Sequence, residues 1–202
     1  MAGLSMVFNG LLVGASGFAL YSIQPAEHPY AFSACAFGLC HGLLGIIHAY
    51  KKGDEGDSCN KIREISTSCM EIVQLPLINI ELYLASSNTS ALALGHGLFV
   101  IPLAFDLIAK LFTEEGDDSN TNTLKDLTIL GNIVSLTFLA VNESNYTYVS
   151  MAITAFLTKY GAILLDSYWE GALENTVLLG YSIFTMLANN AITGKPEWMN
   201  MK

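Results

Sequence analysis

The stretch ACAFGLCHGLLGIIHAYKKGDEG, residues 34–56, decides the class of fold because it places two histidines in an apolar run that ends abruptly at a charged cluster. A helix needs about 20 predominantly apolar residues to cross a bilayer, and this run is close to that length. Similar runs recur along the chain, separated by polar segments such as KKGDEGDSCNKIRE and TEEGDDSNTNTLKD that hold most of the charges. This alternation is typical of a helical protein that crosses a membrane several times.

The composition of the whole chain favours the same class. Hydrophobic residues make up 52% of the 202 residues and charged residues only 13%. The net charge of −9, with nine Lys and Arg in all, argues against a nucleic-acid partner, because phosphate contacts need clustered cations. The four cysteines form neither a disulfide framework nor a metal-binding motif, so no metal and no cofactor is expected.

The apolar runs predict a single membrane domain over residues 1–202, an all-α bundle of six or seven antiparallel spanning helices. The N-terminal run lacks the positive segment of a secretory signal and is interpreted as the first spanning helix. A recurring His-Gly or Tyr-Gly step, followed by a Glu-Gly step after the helix, suggests an internal repeat of helical hairpins. The predicted helices are 4–23, 29–50, 67–87, 90–112, 126–142, 147–169 and 175–193.

The loop charges predict which way the bundle faces. Lys and Arg occur in the second and fourth connectors and are absent from the first, third and fifth, which places the N-terminus in the cytosol. The glycosylation sequons at Asn88, Asn142 and Asn145 fall in the third and fifth connectors, on the opposite side. The expected location is therefore the plasma membrane or an endomembrane.

Small residues predict a close contact between the first two helices. Ala34, Gly38 and Gly42 recur at intervals of four on the second helix, a pattern that lets another backbone approach closely. Gly10 and Gly14, also four apart, are the expected counterpart on the first helix.

Ionisable residues inside the apolar runs are the candidate functional residues, because charge is costly in a bilayer and is expected to be paired or solvated. By depth along the helices, Glu81 is expected to pair with His96. Lys159 is expected either to pair with Asp106, Glu71 or Asp166, or to share a polar cavity with His41. The full set of buried polar or ion-handling candidates is His41, His48, Glu71, Glu81, His96, Asp106 and Lys159.

The sequence contains none of the standard catalytic motifs, so an enzyme is not the first expectation. The preferred interpretation is a structural or accessory membrane subunit, whose partners are the lipid bilayer and either other membrane subunits or a second copy of the chain. A small ion- or proton-coupled transporter that uses the buried His, Glu and Lys residues is the alternative. A second alternative is an intramembrane enzyme built from His96 and Glu81.

Overall fold

The computed structural model describes residues 2–50, 57–98, 100–105 and 118–194, and all regular secondary structure in these ranges is helical. They include a 3₁₀ segment, Ser90–Gly97, and a short helical stretch over residues 100–105. The α-helices are α1 (Ala2–Ser22), α2 (Pro29–Tyr50), α3 (Asp57–Ala85), α4 (Asp118–Asn142), α5 (Tyr146–Tyr168) and α6 (Leu173–Thr193).

Four described segments are long and apolar enough to cross a membrane, judged by length and composition. They are Gly3–Ser22, Pro29–Tyr50, Asn122–Asn142 and Tyr146–Tyr168. The observed bounds of α1, α2, α5 and α6 lie within two residues of the predicted ones. Helices α3 and α4 begin ten and eight residues earlier than predicted, since polar residues of the connectors extend both helices.

The first third of the fourth predicted helix, 90–112, is not an α-helix, because residues 90–97 form a 3₁₀ segment. Gly95 and Gly97 lie in that segment, and each glycine costs an α-helix about 1 kcal/mol relative to alanine. Residues 106–112 of this predicted helix, with Asp106, lie outside the described residues.

Helix α3 lies at the centre of the bundle and contacts α2, the 3₁₀ segment and α4. Its buried residues include polar ones, Gln74, Asn79 and Glu81, which are each at most 5% exposed. Because neighbouring helices cover its middle, α3 can hold polar side chains that a helix surrounded by lipid could not.

The order of side-chain contacts shows that α3 and α4 run parallel. Asn79 Nδ2 donates to Asn132 Oδ1 at 3.0 Å, and Tyr83 Oη lies 2.7 Å from Ser135 Oγ. At the far end Ser86 Oγ donates to Glu143 Oε1 at 2.6 Å. Residue numbers rise together on both helices, which is the relation expected between the third and fifth predicted helices when consecutive helices are antiparallel.

The small residues of α2 do pack against α1. A side chain at Gly38 would come within 2.6 Å of Ser16 Oγ, and one at Gly42 within 2.8 Å of Val13 Cγ2. A side chain at Gly45 would collide with Asn9. Residues 9, 13 and 16 of α1 thus fill the three glycine positions of α2, and Ala34 is buried one turn further along.

Gly10 and Gly14 are not the counterpart that the sequence predicted. No atom lies within 4 Å of the position that a side chain would occupy at either residue. Glycine is needed on only one side of the seam, because side chains of α1 fill the space that the α2 glycines leave.

Candidate functional site

Two lysines and two carboxylates form a cluster between α3, α4 and α5, here called the Lys159 cluster: Glu71, Lys125, Asp126 and Lys159. Lys159 Nζ lies 3.0 Å from Asp126 Oδ1 and 3.5 Å from Glu71 Oε1. Lys125 Nζ lies 2.5 Å from the second oxygen of Glu71. The formal charges sum to zero, so the cluster places no net charge inside the bundle.

The cluster is mostly shielded from the surroundings and reaches the surface at one point. The side chains of Glu71, Lys125 and Lys159 are each 17% exposed, whereas that of Asp126 is 56% exposed. Buried ion pairs stabilise a fold only when their geometry and remaining hydrogen bonds offset the loss of solvation. The cluster therefore reaches the surface of the bundle through Asp126.

A π turn positions Lys159. Residues Leu157–Gly161 form this turn within α5, between the α-helical segments Tyr146–Phe156 and Ala162–Tyr168. On α6, Gly180 lies directly against Thr158, and a side chain at Gly180 would collide with the threonine. The glycine thus lets α6 approach the π turn closely. Such turns often occur at functional sites.

A cavity of about 30 Å³ adjoins the cluster, which is room for one or two water molecules. Gln74 lines it, and Gln74 Nε2 donates to Thr185 Oγ1 at 2.8 Å. Gln74 Oε1 has no hydrogen-bond partner in the part of the chain that the structure describes. The lining residues are Glu71, Gln74, Leu75, Ile129, Ala155, Thr158, Lys159, Tyr181 and Phe184.

The expectation that Lys159 pairs with a carboxylate is confirmed, and Glu71 is one of the three residues predicted for that role. Asp126 was missed, because contacts between α4 and α5 leave no local signal in the sequence. Asp166 instead accepts the backbone N–H of Leu173 at 3.0 Å, at the start of α6. The alternative prediction, that Lys159 shares a polar cavity with His41, is wrong. His41 does not line the cavity beside Lys159, and His41 Nδ1 lies 2.9 Å from Ser66 Oγ.

The predicted pairing of Glu81 with His96 is wrong. Glu81 Oε2 accepts the backbone N–H groups of Tyr30 and Ala31, both at 3.1 Å, and Glu81 Oε1 lies 3.1 Å from His28 Nδ1. The first N–H groups of a helix have no partner within the helix, so a carboxylate is favourable there. Counting depth along the chain could not show that the start of α2 packs beside Glu81.

His96 contacts Ser135 instead. His96 Nε2 lies 2.6 Å from Ser135 Oγ, and His96 Nδ1 lies 3.0 Å from the backbone oxygen of Ala93. A carbonyl oxygen can only accept, so Nδ1 carries the proton of the neutral ring and Nε2 accepts from the serine hydroxyl. Tyr83 packs against the ring with centroids 4.4 Å apart, and its hydroxyl also reaches Ser135. Sequence reasoning missed Ser135.

The remaining candidates lie at helix ends. His48 is in the last turn of α2. Asn88 lies in the turn after α3, and Asn142 is the last residue of α4. Asn145 caps α5, where its side chain accepts the N–H of Thr147 at 2.9 Å. No group of three or more His, Cys, Asp or Glu side chains placed to hold a metal ion occurs within the described residues.

The fold and the Lys159 cluster define an all-helical protein with four helices apolar enough to cross a membrane and a charge-balanced polar centre among its helices. Residues 25–192 match the model of a family described as Domain of unknown function (DUF4791), and because this match covers most of the chain, the protein belongs to that family. The chain matches no curated protein and no solved structure.

Proposed function

We propose that the protein is an integral membrane protein with a structural or accessory role. Exposed aromatic residues at helix ends support its place in a bilayer, because Tyr and Trp are enriched where lipid meets water. These residues, between 71% and 90% exposed, are Tyr21, Tyr50, Tyr146, Tyr168 and Trp169. On α5, Tyr146 and Tyr168 are 22 residues apart, which corresponds to about 33 Å of helix and matches a hydrocarbon core of about 30 Å.

The large apolar residues on the outside of the bundle also favour lipid as the surrounding medium. Between the aromatic ends, Ile153, Phe156 and Leu157 of α5 are each about half exposed, and Val134 and Phe138 of α4 are exposed to a similar degree. A soluble protein rarely exposes a continuous apolar surface of this kind. In lipid the same surface carries no penalty.

The proposed topology has seven crossings. The parallel arrangement of α3 and α4 requires a crossing between them, and the described part of that connection already lies along α3. A side chain at Gly97 would be 3.5 Å from Ile80, and further on Leu103 packs with Ile72. The hairpin repeat has less support, because Tyr160–Gly161 lies in a π turn and His96–Gly97 ends a 3₁₀ segment.

The observation that carries the structural role is the mutual pairing of charges in the Lys159 cluster. Four ionisable groups neutralise one another, and the adjoining cavity holds at most one or two waters. A transporter needs a wet passage for its cargo, whereas the cavity beside the cluster measures only about 30 Å³. Other membrane subunits or a second copy of the chain are the partners that an accessory role implies.

A small proton- or ion-coupled transporter is the second candidate, and one observation favours it. The cavity is lined by Lys159, Glu71 and Gln74, and it lies beside a π turn. Water in this cavity, connected to the surface through Asp126, would let protons reach the Lys159 cluster.

Lys159→Met tests the two roles in purified protein and in reconstituted vesicles. In the structural role the variant loses folded protein, because Glu71 and Asp126 then outweigh Lys125, and the double variant Lys159→Met/Glu71→Gln recovers much of it. In the structural role, vesicles that contain the wild-type protein should show no proton flux across a pH gradient. Glu170→Gln, which removes an exposed charge outside the cluster, is the control and leaves the yield unchanged. A wild-type proton flux that disappears in folded Lys159→Met would instead establish the transporter.

A further inference from the structure

Ser135, His96 and the backbone oxygen of Ala93 form a chain of hydrogen bonds in which the serine donates to the histidine and the histidine donates to the backbone oxygen. The Ala93 oxygen fixes the proton on His96 Nδ1, so the lone pair of Nε2 faces the Ser135 hydroxyl at 2.6 Å. A serine hydroxyl bonded to an imidazole, itself oriented by a third group, is the general arrangement of an activated nucleophile. The backbone carbonyl supplies the orienting group here.

Two further observations concern access to Ser135. Its side chain is only partly buried, as is that of His96. Gly131 lies one turn before Ser135 on the same face of α4, and Gly95 precedes His96; no atom lies within 4 Å of the side-chain position at either glycine. Within the described residues, the space beside these two glycines therefore adjoins the Ser135–His96 pair.

The depth of Ser135 indicates the class of substrate. Ser135 lies seven residues before Asn142, about 10 Å along α4 from the end at which Tyr146 marks the edge of the proposed hydrocarbon core. The core is about 30 Å thick, so this depth lies among the acyl chains, where an apolar substrate is expected to reach Ser135. The depth argument rests on the proposed membrane location, whereas the geometry of the hydrogen bonds does not.

We propose that Ser135 is an acyl-accepting nucleophile with His96 as its general base, and that its substrate is an apolar carboxylic ester that dissolves in the hydrocarbon core of a membrane. This activity goes beyond the structural role proposed above. Tyr83 is a positioning residue, because its hydroxyl lies 2.9 Å from the Ser135 backbone oxygen and holds α3 against the serine.

In the first step, Ser135 Oγ forms a bond to the ester carbonyl carbon while its proton moves to His96 Nε2. The bond from that carbon to the alkoxy oxygen then breaks, and the leaving alcohol takes the proton back from Nε2. Water repeats the sequence on the acyl-serine, releasing a carboxylic acid and restoring the Ser135 hydroxyl. During both steps Ala93 holds the N–H at Nδ1, so the positive charge on the imidazole ring remains stabilised.

Labelling with a fluorophosphonate tests the nucleophile in the full-length protein purified in detergent. The reagent forms a bond from phosphorus to an activated serine oxygen and releases fluoride. We expect one adduct, at Ser135 by peptide mass spectrometry, and none in Ser135→Ala. His96→Gln keeps a polar side chain that cannot act as the base, so labelling should slow by at least about 100-fold in protein that elutes as wild type.

Two other serines are matched controls. Ser66 Oγ contacts His41 Nδ1. Ser150 lies on the exposed face of α5, where its hydroxyl donates to the backbone oxygen of Tyr146. Ser66→Ala and Ser150→Ala should keep the full adduct. Absence of an adduct in folded wild-type protein, or labelling that His96→Gln leaves unchanged, would overturn the proposal that Ser135 is a nucleophile activated by His96.

Phosphatidylcholine vesicles that contain a fluorogenic fatty-acid ester of an apolar alcohol test the substrate class. Wild-type protein should release the labelled fatty acid and Ser135→Ala should not. A Ser135 adduct without any release would overturn the apolar ester as substrate while leaving the nucleophile in place. Failure of the structural role would appear separately, in the folding yields of the Lys159 variants.

Discussion

At the scale of single residues, Glu81 shows how a carboxylate can be accommodated in an apolar bundle. It is 5% exposed, yet both of its oxygens are occupied by donors from the start of α2 and from His28. The partners belong to a helix end, where unpaired N–H groups and the helix dipole both favour negative charge. Glu81 therefore anchors α2 to the centre of the bundle.

Glu81→Ala should destabilise the protein by about 1–3 kcal/mol, because two backbone N–H groups lose a charged acceptor. Thermal unfolding in detergent measures the effect. Glu64→Ala is the control, since Glu64 is exposed on the same helix. Equal stability of the two variants would show that the α2 contact contributes little.

The sequence was enough to find the charged and polar residues whose burial in an apolar bundle costs free energy, but not the residues that pair with them. Lys159, Glu71, Glu81 and His96 stand out because charged or polar residues are unexpected in apolar runs. Their partners lie on distant segments, and matching depth could not separate His96 from the start of α2 as the partner of Glu81.

At the scale of helices, the seam between α1 and α2 shows that only one of the two helices supplies glycine. The α2 glycines, at intervals of four and three residues, receive side chains of α1 that lie at intervals of three and four residues. Periodicity identified the α2 face correctly, because that face follows from the sequence of one helix. It could not identify the facing residues of α1, since small and medium residues occur on several sides of that helix.

Gly38→Leu should reduce stability by about 1–3 kcal/mol or prevent folding, because the new side chain would overlap Ser16. Gly10→Leu is the matched control and should be tolerated, since no atom lies near Gly10. Leu43→Ala, on the exposed face of α2, should also be tolerated. Size-exclusion profiles and thermal unfolding compare the three variants, and an equal loss in all three would mean that the faces of α1 and α2 are misassigned.

At the scale of the whole molecule, α3 and α4 lie side by side, although they are not consecutive crossings in the proposed topology. Hydropathy predicted helices and their approximate ends but not which helices touch. Helix α3 also has too many polar residues to meet the composition criterion for a span, although its middle is buried. Its place at the centre follows from shielding by neighbours, which a single sequence does not display.

The proposed seven-crossing topology predicts which positions share a side of the membrane. In a variant without native cysteines, Ser58→Cys and Ser119→Cys should both be protected from an impermeant maleimide in intact cells, if the N-terminus is cytosolic. Ser87→Cys and Ser144→Cys should both react. Reaction of only one of the two variants Ser58→Cys and Ser119→Cys would contradict the return crossing between α3 and α4. Reaction of both, with protection of Ser87→Cys and Ser144→Cys, would contradict only the orientation.

The π turn of α5 has a consequence for comparing members of the family. A π turn has the form of an α-helix with one inserted residue, and each residue turns an α-helix by about 100°. A relative without that insertion would carry every position after Gly161 on a different side of the helix, including the one that corresponds to Asp166. Alignments of this family should therefore allow a single-residue gap between Phe156 and Ala162, because a gapless alignment would equate residues that face α6 with residues that face lipid.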